Sequence, residues 1–122
     1  MDFELQRSRP IWLQLSEQLA RKIVTGIYPP GSRFPTVREL AAEAGVNPNT
    51  MQRALSQLES EGLVITNRTA GRTVTEDVGV LDAMRRHLAS ELRDKYFSEM
   101  KELGYTRSQA ADFAAAETEE ET

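Results

Sequence analysis

Residues 36–60 read TVRELAAEAGVNPNTMQRALSQLES, and the fold depends on how that stretch divides into helices. Thr36 suits a helix N-cap, and Glu39, at the third helical position, completes a reciprocal capping box. Val37, Leu40 and Ala41 give the helix that follows a short apolar face. It should end near Ala44, because Gly45 can take the left-handed backbone that a tight bend requires. Val46 is apolar and should plug the space beneath the bend. Asn47 is a second N-cap, and Pro48 falls at the first helical position, where its missing N–H leaves nothing unpaired. Met51, Ala54, Leu55 and Leu58 then recur at helical spacing, up to Glu61 and a terminating Gly62. Two short helices around a glycine turn make a helix-turn-helix, whose second helix enters the DNA major groove.

Outward from this unit, Pro10 opens an amphipathic helix over residues 10–25, with Ile11, Leu15, Leu19 and Ile23 on one stripe. The first nine residues read as polar and extended. Residues 28–32 (YPPGS) read as a turn that runs into a second breaker at Pro35. On the other side, residues 63–66 and 72–75 read as two short strands around a turn, a hairpin directly after the recognition helix. Residues 76–79 read as a linker. A long helix over residues 80–103 carries Leu81, Met84, Leu88, Leu92, Tyr96, Met100 and Leu103 on one stripe. A short helix follows over residues 107–116, opened by the capping box of Thr106 and Gln109. The fold class is therefore mainly α with a small β-hairpin. A winged helix-turn-helix over residues 1–75 precedes a helical dimerisation hairpin over residues 76–116, and residues 117–122 form an acidic tail that should be disordered.

The chain of 122 residues carries a net charge of −4, which by itself argues against a nucleic-acid partner. The distribution answers this. Residues 1–75 hold 9 Lys/Arg and 7 Asp/Glu, a net of +2, whereas residues 76–122 hold 6 and 12, a net of −6. A basic balance so slight means that a few placed arginines, not a broad field, must hold DNA. There is no cysteine, hence no disulfide and no thiolate metal site. No stretch approaches the roughly 18 apolar residues of a membrane span, and Met1-Asp2-Phe3-Glu4 does not begin a leader peptide. A cytoplasmic protein without membrane contact is expected. A single His, His87, no glycine-rich phosphate loop and no carboxylate cluster beside a nucleophile speak against an enzyme, a metal site or a cofactor.

The DNA-reading candidates follow from position. Asn47, Pro48, Asn49 and Thr50 form the N-terminal turn of the second helix, where free N–H groups suit phosphate and an Asn amide can pair with adenine. Gln52 and Arg53 lie further along that helix. Arg38 lies in the bracing helix. Arg68 and Arg72 flank the hairpin turn with Gly71.

Three stretches resemble the GntR family of bacterial regulators: residues 26–41 (GIYPPGSRFPTVRELA), residues 46–55 (VNPNTMQRAL) and residues 58–64 (LESEGLV). Pro10-Ile11-Trp12 with Leu15 resembles the family's opening helix. The resemblance covers residues 10–75 and implies a winged helix-turn-helix that binds a palindromic operator as a homodimer, most often as a repressor. It implies DNA contacts by Arg38, Asn47, Asn49, Thr50, Gln52, Arg53 and Gly71. Many members carry arginine where this chain has Pro48 and Gln52, so fewer cations face the DNA here. The Asn-Pro-Asn-Thr turn and the short C-terminal region are similar to the YtrA-like subgroup.

A single helix-turn-helix reads one half-site, so the stripe from Leu81 to Leu103 is assigned to a dimer interface, with folding back on its own winged helix as the alternative. Tyr96, Phe97 and Tyr105 are candidates to line an effector pocket between subunits, with ordinary interface packing as the simpler reading. The rival function is a winged helix that contacts protein and not DNA.

Overall fold

The computed structural model describes residues 3–116; the acidic tail expected over residues 117–122 lies outside them. Five helices and one antiparallel hairpin follow in the order α1 (Ile11–Val24), α2 (Val37–Ala44), α3 (Pro48–Ser60), β1 (Val64–Asn67), β2 (Gly71–Val74), α4 (Val78–Glu102) and α5 (Arg107–Ala115). None of these helices is long and apolar enough to cross a membrane. The chain divides into two compact units, one through Arg85 and one from Arg86. The first therefore extends past residue 75, the boundary expected from sequence.

In the first unit the capping signals act as read. Thr36 Oγ1 accepts from Glu39 N at 3.1 Å, and Glu39 returns a carboxylate oxygen to Thr36 N at 3.0 Å. Gly45 takes φ +68°, and Val46 N then donates back to Ala41 O, which closes α2. Leu15, Leu19 and Ile23 of α1, Leu40 of α2, and Met51, Leu55 and Leu58 of α3 are at most 2% exposed, and Leu63, Val64 and Val74 close the same core from the hairpin. At ~1.5–3 kcal/mol for each large buried apolar side chain, this three-helix contact far outweighs any surface pairing as the source of the unit's cohesion. Val46 packs against it.

The hairpin pairs Val64 with Val74 through Asn67 with Gly71, so the turn is residues 68–70. Residues 31–34, which overlap the end of the turn expected over residues 28–32, add a third extended strip along β2. Phe34 N donates to Arg72 O, Val74 N to Ser32 O, and Gly31 N to Val74 O, at 2.8–2.9 Å. Paired this way, β2 has no free edge in that stretch, which fixes the base of the wing.

The N-terminal segment also departs from the reading as a merely polar extension. Phe3 and Leu5 pack against the core. Two glutamines one turn apart on α1 stitch the segment down by acting as strand partners. Gln14 Oε1 accepts from Gln6 N at 2.8 Å while its Nε2 donates to Gln6 O at 2.6 Å and Arg9 O at 2.8 Å. Gln18 pairs the same way with Glu4, at 3.2 and 2.6 Å.

Helix α4 begins at Val78, inside the expected linker, because Asp77 Oδ1 accepts from Gly79 N and Val80 N at 2.9 and 3.3 Å. Leu81, 8% exposed, belongs to the core of the first unit, and Met84 packs against that core. Arg85 Nη2 donates to Val24 O at the end of α1 at 2.9 Å. The opening turns of the long stripe are thus used within the subunit, the alternative weighed above.

In the second unit, Tyr96 Oη donates to Ala110 O at 2.7 Å, and the Arg107 guanidinium lies 4.1 Å from the Phe97 ring centroid. These contacts hold α5 against α4. Thr106 caps α5 as its sequence suggests, with Gln109 in the reciprocal position. His87 is exposed and pairs with Glu91 at 2.7 Å.

Replacing Gln14 with Ala should release the N-terminal segment. The buried side chain gives up three hydrogen bonds, and the unfolding free energy should fall by ~2 kcal/mol. Gln18→Ala, at a half-buried site with one fewer hydrogen bond, should cost distinctly less. Thermal denaturation and amide exchange at Gln6 would check this; protection of Gln6 unchanged by Gln14→Ala would reject the stitching.

Candidate nucleic-acid interface

Helix α3 is divided lengthwise by burial. Met51, Ala54, Leu55 and Leu58 are fully buried. Asn49, Gln52, Arg53 and Ser56, at steps of three and four, are all exposed and form the opposite stripe. The core thus fixes which face of the helix a duplex would meet.

At the head of the helix, the Asn47 carbonyl oxygen accepts from Asn49 N at 2.7 Å, with Pro48 at the first helical position. One acceptor site of the Asn47 amide thus serves the cap, while the residue itself is exposed at the head of the helix. Asn49 keeps its whole amide free, and Thr50 is half-buried behind it. Gln52 Nε2 leans along the helix to Ser56 Oγ at 3.3 Å, a long bond that a base edge could displace.

The arginines separate into two groups. Arg38, on the second position of α2, and Arg68, on the wing turn, are exposed and form no ion pair or hydrogen bond among the described residues. Arg72 is different. Its Nε donates to Glu59 Oε1 at 3.0 Å, and Thr66 Oγ1 donates to Glu59 Oε2 at 2.6 Å. One carboxylate near the end of α3 therefore holds both strands of the wing. Arg72, expected on the DNA-facing side, is thus paired through its Nε with a carboxylate thirteen residues away. Arg53 has no carboxylate partner among the described residues; its guanidinium carbon lies 4.3 Å from the Trp12 ring centroid on α1. Gly71 takes φ +72° at the end of the turn with open space around its Cα, so backbone can come close there.

Two carboxylates hold their protons less tightly than usual. At Glu59 the hydrogen bond from Thr66 is the main cause, with Arg72 adding to it against the opposing effect of partial burial. At Glu39 the bond from the Thr36 backbone N–H leads. Among the described residues no group of three or more His, Asp or Glu is placed to hold a metal ion.

Residues 12–74 match the model of the bacterial regulatory proteins of the gntR family. The chain belongs to the GntR family. It is a DNA-binding transcription regulator, not an enzyme, and resembles the YtrA-like members. It is 38% identical over 109 residues to the uncharacterized HTH-type transcriptional regulator YhcF of Bacillus subtilis, covering 89% of this chain and 90% of that one. It is 40% identical over 70 residues to the HTH-type transcriptional repressor YtrA of the same organism, covering 57% and 54%. Among solved structures, a GntR family transcriptional regulator from Listeria monocytogenes superposes with a TM-score of 0.79 at 34% identity, covering 90% of this chain and 96% of that one. The DNA-binding domain of AraR in complex with operator ORX1 superposes with a TM-score of 0.55 at 25% identity, covering 62% and 95%. The winged helix-turn-helix read from the sequence is thus a shared architecture.

The Glu59 clamp gives the wing a pH dependence. A carboxylate whose folded pKa is depressed stabilises at pH above its ordinary value, 4.5, and that contribution is lost as pH falls through the lower folded value. Amide protection in β2 should therefore drop as pH is lowered below 4.5, and in Glu59→Gln it should change little over the same range. Hydrogen exchange read by NMR would measure both; equal pH dependence in the two chains would show that the clamp does not order the wing.

Proposed function

We propose that this regulator is a cytoplasmic homodimeric repressor that binds a palindromic operator in double-stranded DNA. The observation that carries DNA reading is the exposed polar stripe of α3, whose orientation the core fixes, together with an exposed Arg38 on α2 that has no ion pair among the described residues. Asn49 and Gln52 supply amide pairs for base edges, Arg38 a guanidinium for a guanine or a phosphate, and Arg68 and the Gly71 backbone a wing contact. The operator-bound AraR domain supports the use of this fold on duplex DNA, and the name of the relative YtrA supports repression.

Pairing of two copies rests on the second unit. Leu92 is 54% exposed, Leu103 73% and Phe113 62%. With the half-buried Leu88 and Met100 they leave an apolar face on a hairpin too thin to cover it. The proposed interface is therefore the part of the stripe beyond Met84, with Tyr96 fixing the hairpin from inside. Control by a small-molecule effector has weaker support. Tyr96 and Phe97 meet edge to face at 5.4 Å, while Tyr105 turns to Phe113 at 6.1 Å, so their rings are engaged within the hairpin.

Arg38→Ala should weaken binding to a duplex selected from a random pool by ~10-fold or more, at the scale of one lost bidentate contact, with the melting temperature unchanged. Fluorescence anisotropy beside thermal denaturation would show this; equal affinity in the two chains would remove Arg38 from the site. Leu92→Glu should convert the dimer to monomer in sedimentation velocity without unfolding it, because the side chain is already half in water. A dimer that survives the substitution would place the interface elsewhere.

A further inference from the structure

Arg53 has two properties that no other arginine of the first unit combines among the described residues. It is held in place, and it is not neutralised. Arg72 and Arg85 are fixed but paired with Glu59 and Asp82. Arg38 and Arg68 are unpaired, and nothing described fixes them. Arg53 is fixed by an uncharged partner, its guanidinium carbon 4.3 Å from the Trp12 ring centroid, within the range of a cation–π contact. Such a contact engages no hydrogen-bond acceptor, so the five N–H donors of the guanidinium remain for an anion. The ring also sets where they lie. Trp12 stands on α1, a different helix, so the guanidinium is drawn off the base-reading stripe of Asn49 and Gln52 toward the flank of α3.

From this geometry we propose that Trp12 is a positioning residue: it holds the Arg53 guanidinium ready for a DNA backbone phosphate, so that Arg53 anchors the duplex without reading its sequence. The inference rests on the DNA-binding reading above and assigns this one arginine its role. Pre-ordering matters because a free arginine loses rotamer freedom when it binds; one already stacked loses little. The charge also reaches the phosphate undiminished by a neighbouring carboxylate.

The contact is open to test by anisotropy titrations over a range of salt, with two probes: a duplex selected from a random pool by the chain, and a duplex of random sequence. Arg53→Ala should weaken both probes by the same factor, about three- to tenfold, and flatten the salt dependence by roughly one phosphate contact per subunit. Arg53→Lys keeps the charge but loses the flat face that stacks, and should fall between the two. Trp12→Leu should weaken both probes when Arg53 is present and have no further effect in Arg53→Ala. A loss confined to the selected duplex would make Arg53 a base reader and overturn the proposal. So would full affinity in Arg53→Lys, which needs no change in the core, or additive losses from Trp12→Leu and Arg53→Ala. Failure of the DNA-binding reading looks different: the unsubstituted chain would bind neither probe in a salt-dependent way, whereas failure of this inference alone leaves the Arg38→Ala loss on the selected duplex intact.

Discussion

The constraint on which the rest depends is the complete burial of one side of α3. Met51, Ala54, Leu55 and Leu58 are without solvent contact, set against Leu15, Leu19 and Ile23 of α1 and Leu40 of α2. A helix locked on four buried positions cannot roll about its axis without exposing them, and each large side chain would lose ~1.5–3 kcal/mol of burial. Asn49, Gln52, Arg53 and Ser56 are therefore presented on a fixed face. Recognition needs that fixity more than it needs any particular side chain, because a base-edge contact depends on placement within a fraction of an ångström.

The wing is oriented by a smaller but directed device. Two short strands gain little stability alone. Here β2 is paired on one side with β1 and on the other with residues 31–34, and both strands reach Glu59 through Thr66 and Arg72. The device consumes a cation in a unit with few of them. That choice makes sense if placement of the wing turn, with Arg68 and Gly71, is worth more than one further loose charge.

The parts of the fold legible in the sequence are those governed by local rules. The capping boxes at Thr36 and Thr106, Pro48 at the start of α3 and the bend at Gly45 depend on residues within a turn of each other, and these stand where they were read. The illegible parts are pairings between distant residues. Gln14 and Gln18 look like solvent-facing amides until the chain folds back on α1. Residues 28–32 look like a turn because two prolines and a glycine fall together, and nothing local shows that Gly31 and Ser32 also pair with β2. The site divides by the same rule. Arg38 and Arg68 keep the free side chains their positions suggest, whereas Arg72 is bound by a carboxylate thirteen residues away. The stripe on α4 was legible as a stripe, but its period does not say that Leu81 and Met84 are covered from one unit and Leu92 and Leu103 are not.

These features fit together as an economy of charge. The recognition turn, Asn-Pro-Asn-Thr, carries no cation; among the described residues Arg72 is paired with Glu59, Arg53 lies over Trp12, and Arg38 and Arg68 form no ion pair. Phosphate contacts supply much of the affinity of a DNA-binding unit, so on the proposed reading one copy with so few cations should bind weakly at cellular salt. Linking two copies raises affinity without adding a contact, since the second half-site is then met at a high effective concentration. It also multiplies the discrimination supplied by neutral amides, which distinguish bases but attract no phosphate. On the dimer reading, the uncovered leucines of α4 and the uncharged head of α3 are two sides of one solution: hydrophobic pairing at one end of the chain supplies what the other end lacks in charge.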